Sequence, residues 1–121
     1  MTKQAGKIHV GIGILAAAAL ALTALAVPAT ARADAAAAAA GAALYKEKCI
    51  GCHAADGSGN APMGKALKAG DLRSAQIQGK KDAELAASIT NGKGKMPAQK
   101  GLSAAQVSQL LEYVRTLGKA K

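Results

Sequence analysis

The sequence predicts an all-α fold, three to four helices joined by long loops. Three observations carry this reading. No segment alternates apolar and polar residues as a half-buried strand would. Apolar residues at helical spacing recur in Asp82–Thr90 and again, most clearly, after Ser103. The stretches between them are punctuated by Gly and Pro, which break regular structure.

The chain opens on a segment that stands outside this fold. Met1–Ile8 carries Lys3 and Lys7 and no acid. Val10–Val27 is an uncharged apolar run, Pro28 interrupts it, and Ala31-Arg32-Ala33 precedes Asp34. A basic start, an apolar middle and an A-x-A site make a secretory signal peptide, expected over residues 1–33. The alternative is an uncleaved membrane anchor, for which the run is slightly short of the roughly 20 residues of a bilayer span. Residues 34–121 are expected as the exported, periplasmic domain, with no stable membrane insertion once the leader is removed. Lys3, Lys7 and Arg32 leave with it, so a formal charge of +9 becomes +6.

Each element of the domain follows from local chemistry. Asp34–Ala43 is nearly all alanine and reads either as a flexible start or as a helix capped by Asp34. Helix then runs on through Leu44, Tyr45 and Lys48. Ala54–Gly70, with Gly57, Gly59, Pro62, Gly64 and Gly70, reads as loop. A short helical turn is placed near Arg73–Gln78. Asp82–Thr90 is a helix with Leu85 and Ile89 at i, i+4, ended by Asn91-Gly92. Lys93–Gly101 is loop. Ser103 and Gln106 form an S-x-x-Q capping box for the last helix. Its buried face is Val107, Leu110, Leu111, Val114 and Leu117, with Gly118 as its expected stop.

These helices have little to bury. The exported part holds 17 large apolar residues, with no Phe and no Trp in the whole chain. A domain this short with so thin a core needs a staple: disulfides, a metal or another cofactor. Two cysteines exclude a disulfide-rich scaffold.

Cys49-Ile50-Gly51-Cys52-His53 supplies the staple. C-x-x-C-H is the attachment pattern of a c-type haem. Two thiols one helical turn apart suit the two vinyl groups on one side of a porphyrin. The next residue, His53, then offers its imidazole to the iron. The rival readings are weaker. A structural zinc site takes four ligands, and after residue 33 only Cys49, Cys52 and His53 are strong candidates. A thioredoxin-like pair needs a strand before it.

On these residues the chain resembles the class I c-type cytochromes, small monohaem electron carriers, over about Gly41–Leu117. Gly41 and Tyr45 precede Cys49 by eight and four residues, as in the family's first helix, and Leu110 and Tyr113 match its last. The resemblance implies a cytochrome c fold around one covalently bound haem c. It also implies a methionine as the second axial ligand. Asn91-Gly92-Lys93-Gly94-Lys95-Met96-Pro97-Ala98 resembles the family's ligand loop, so Met96 is expected with His53 on the iron; the competing methionine is Met63. Pro62 resembles the proline whose carbonyl accepts the imidazole N–H. Leu67, Leu72, Leu85 and Ile89 are expected around the haem. Two positions depart from the family pattern. Gln99 replaces an aromatic residue and would make the crevice more polar, and Lys81 stands where Ser or Thr usually caps the following helix.

The function expected is one-electron transfer by a monomeric carrier and not enzymatic catalysis. His and Met together leave no open iron site, and the thioether raises the potential. No Ser-His-Asp set, carboxylate pair or phosphate loop points elsewhere. An open or weak sixth position would instead make a gas-binding or peroxidase-like haem protein. Lys65, Lys68, Lys93, Lys95 and Lys100 fall in the loops expected beside the haem, which suits acidic redox partners such as a membrane oxidase, reductase or reaction centre. Nucleic acid is excluded as a partner by export and by the lack of stacking aromatics.

Overall fold

The computed structural model describes residues 28–120. Most of the predicted leader, residues 1–27, therefore lies outside the described residues. The described chain is helical, with α1 Ala29–Lys48, α2 Ile50–His53, α3 Pro62–Leu67, α4 Ala75–Gln78, α5 Asp82–Asn91 and α6 Ala104–Lys119. Among the described residues there is no strand, only one isolated bridge between Lys93 and Met96. The three longer helices and the short α4 are those the sequence predicts, and the short α2 and α3 make up the rest.

α1 begins earlier than expected. Pro28 is its N-cap, and Asp34 lies inside the helix and does not cap it. Alanine-rich sequence with no Gly or Pro carries helical structure back to Pro28. The expected cleavage site at Ala33 thus falls within α1, and Ala29–Ala36 is exposed throughout. None of the described helices is long and apolar enough to cross a membrane.

The main packing contact is α1 on α6. Gly41 makes it possible: a Cβ there would collide with the Gln109 carbonyl and stand 3.0 Å from Tyr113 Cβ. One turn on, Tyr45 packs its ring against Tyr113 with centroids 5.1 Å apart, tilted by 56°. Tyr45 and Leu110 are almost fully buried there.

Three further differences from the sequence reading have local causes. Residues 62–67, expected as loop, form α3, because Pro62 sits at the first helical position where its missing N–H costs nothing. Gly64 is tolerated inside α3 because a side chain there would run into the Cys52 and Gly59 carbonyls. Gly118 does not stop α6, which continues to Lys119, and instead lets the Gln78 side chain lie against the helix. The expected caps are otherwise in place. Ser103 Oγ accepts from Gln106 N–H at 3.2 Å, and Gln106 Oε1 accepts from Ser103 N–H at 2.9 Å. Before α5, Glu84 accepts from the Lys81 N–H at 3.1 Å, which supplies the reciprocal half of a capping box without the hydroxyl at Lys81.

Candidate haem site

Cys49 ends α1 in a bent conformation and starts α2. Its carbonyl accepts from Cys52 N–H at 3.1 Å and His53 N–H at 2.9 Å, which winds the motif into one turn. Both thiols are therefore on the same side of that turn. They are free, not joined to each other, and both are partly buried. Burial pushes the Cys49 thiol up to about 11, so it is protonated at neutral pH.

After His53 the chain turns away sharply. Ala54 takes φ 60 and ψ 167, a region normally left to glycine. The Tyr45 hydroxyl donates to the Ala54 carbonyl at 2.8 Å and pins this turn to α1.

These residues open onto one apolar cleft lined by Cys49, Cys52 and His53 on one side and by Met96 and Pro97 of the 92–101 loop. The cleft has a cavity volume of about 270 Å³ and is open to solvent at its mouth. Leu67, Leu72, Leu85 and Ile89 all line it, as expected. Ile77, Leu110, Leu111 and Val114 line it too and were not singled out for that role; the helical period that marks α6 as buried does not say what it is buried against.

Met96 is presented by a tight turn. Lys93 N–H donates to Met96 O at 3.0 Å and Met96 N–H to Lys93 O at 2.9 Å, around Gly94 at φ +58. Gly92 at φ +79 lets this turn fold back, since a Cβ there would stand 2.7 Å from the Met96 carbonyl. Met63 is 55% exposed on α3 and does not line the cleft.

Two second-rank expectations are corrected. The bond from His53 to Pro62 is not made: His53 Nδ1 is buried without a hydrogen-bond partner, and Pro62, as the first residue of α3, turns its carbonyl along that helix. The backbone group acting on the imidazole is that of Gly70, and burial outweighs it to lower the His53 pKa. Gln99 does not line the cleft; its N–H donates to the Ile89 carbonyl at 2.8 Å and its amide folds towards Pro97.

Charge around the cleft is one-sided. Lys68, Lys93 and Lys95 line it, while Lys65 and Lys100, grouped with them in the sequence reading, do not. Lys80 lines it as well, 3.8 Å from Glu84.

The site fits a haem on its own terms. Two thiols, an imidazole and a thioether face one apolar space, and the imidazole is buried with an unused nitrogen. A helical fold wrapped on such a donor set defines a c-type cytochrome. The family model described as "Cytochrome C oxidase, cbb3-type, subunit III" matches residues 36–114, well over half of the chain. The chain belongs to this family of c-type cytochrome domains, whose chemistry is haem-based electron transfer. No curated protein matches the chain.

Proposed function

We propose that the chain is an exported, periplasmic one-electron carrier and not an enzyme. The observation that carries this reading is the convergence of Cys49, Cys52, His53 and Met96 on one apolar cleft. Cys49 and Cys52 would hold a single haem c through thioether bonds. His53 and Met96 would occupy the two axial positions. The bound group supplies reversible one-electron chemistry. The chain's own part would be to hold the iron through His53 and Met96 and to exclude water. Leu85, Leu110 and Val114 supply the apolar walls. The soft Met96 sulfur favours reduced iron and raises the potential.

The lysines explain the choice of partner. Lys68, Lys93 and Lys95 are exposed at the cleft. A monomer with this rim suits an acidic face on a redox partner. The family description names an oxidase, so a membrane oxidase is the partner class we propose. Electron transfer to such a partner slows as ionic strength rises, because steering between exposed charges is screened. Carbon monoxide is the second test. A carrier with both axial positions filled binds it weakly when reduced. Tight binding would turn the reading to a gas-binding or peroxidase-like haem protein.

A further inference from the structure

One wall of the cleft is held by polar contacts and not by burial. Leu72, Ile77 and Lys80 line the cleft from a single segment, yet α4 at its centre has no buried residue. Two side chains tie this segment to α6. Gln78 Nε2 donates to the Leu72 carbonyl at 2.7 Å and to the Val114 carbonyl at 3.1 Å. Arg115, on α6, donates to the Gln78 carbonyl at 2.7 Å, the Lys80 carbonyl at 2.6 Å and Asp82 Oδ1 at 2.6 Å. Its side chain is only 23% exposed, so water competes poorly for these bonds. The rigid guanidinium fork fixes its acceptors relative to one another, which a flexible ammonium does not. Gly118 completes the seat: a Cβ there would lie 2.6 Å from Gln78 Cγ.

We infer that Gln78 and Arg115 are positioning residues for the haem site. They hang the Leu72–Lys80 wall on α6 and keep water from the cleft on that side. The inference rests on the haem reading above. Oxidised iron carries one more positive charge than reduced iron, and a dry, low-dielectric surround disfavours the more charged state. Loosening this wall admits water, favours the oxidised state and lowers the midpoint potential.

The test uses the haem-loaded chain. Gln78→Leu and Arg115→Lys both conserve charge, so a shift in potential cannot come from a lost charge. Gly118→Ala disturbs the same seat while leaving both side chains in place. Val107→Ala removes buried volume from α6 outside the cleft and controls for lost stability alone. Gln78→Leu, Arg115→Lys and Gly118→Ala are each expected to lower the midpoint potential while keeping the wild-type haem spectrum. Val107→Ala is expected to lower the thermal midpoint and leave the potential where it was. Wild-type potentials in the first three, or an equal fall in Val107→Ala, overturn the inference. If one variant fails to fold, the other two decide. A chain carrying no haem removes the haem reading and this inference together; a loaded chain with unmoved potentials removes only the inference.

Discussion

Gly41 and Ala54 are the two positions where a single methyl group decides most. Gly41 has no room for one, because the Gln109 carbonyl of α6 occupies the place a Cβ would take. Gly41→Ala must push α1 off α6 and is expected to cost about 1–3 kcal/mol, as overpacking does. Denaturant unfolding of the haem-loaded chain measures it; an unchanged midpoint would mean that the helices do not approach this closely. Ala54 is the reverse case. Its φ of 60 and ψ of 167 cost roughly 1–3 kcal/mol in a residue that has a Cβ. Ala54→Gly is therefore expected to stabilise the loaded protein by about 1 kcal/mol or more, net of glycine's greater freedom when unfolded. A loss of stability in the same unfolding assay would contradict the strained turn after His53.

Among the elements, those with their own signals were legible in the sequence. α6 announces both its start and its buried face, since Ser103, Gln106 and the Val107–Leu117 stripe need only local chemistry. Ser103→Ala removes the cap and is expected to cost about 1 kcal/mol in a thermal melt. An unaltered melt would show that packing on α1 alone sets the end of α6. Elements decided by contacts were harder to read. α3 is interrupted in sequence by Gly64, and only the Cys52 carbonyl lying against it explains why that glycine is helical. Gly118 looks like a stop until the Gln78 side chain is placed on it. α1 overran its expected start because alanine has high helix propensity and no residue after Pro28 opposes it. The site divides in the same way. The C-x-x-C-H motif is contiguous and could be read directly. The presence of Met96 in the cleft agrees with its loop context, whereas the roles given to Pro62 and Gln99 depended on loop paths that sequence does not fix.

At the scale of the whole molecule, the core and the site are one structure. Of the seven buried apolar residues among the described residues, Tyr45, Leu85, Leu110, Leu111 and Val114 face the cleft. Little apolar surface is left to hold the helices together if the cleft has nothing to pack against. Cys49→Ser with Cys52→Ser, expressed in a host competent in haem attachment, is expected to lose the covalent haem and much of its helical circular dichroism. Wild-type helicity in that haem-free chain would mean that the protein core suffices alone. The charge distribution belongs to this scale as well. Five of the seven acids pair with nearby cations, Asp56 and Asp71 both with Arg73, while the cleft lysines 68, 93 and 95 make no ion pair among the described residues. The Asp56 carboxyl is held below its usual value, first by its hydrogen bonds to Ser58 and then by Arg73, so it stays charged even where an ordinary aspartate begins to take up a proton. Lys68, Lys93 and Lys95 thus present unpaired positive charge at the cleft, where a partner would meet it.

The most direct measurement of the central claim is the visible spectrum of the exported protein, oxidised and reduced, for wild type, Met96→Ala and Met63→Ala. The account predicts a covalent c-type spectrum in all three. It also predicts the weak far-red sulfur-to-iron band in oxidised wild type and Met63→Ala, and its loss in Met96→Ala alone. Absence of haem bands, or a far-red band that survives Met96→Ala, would contradict it.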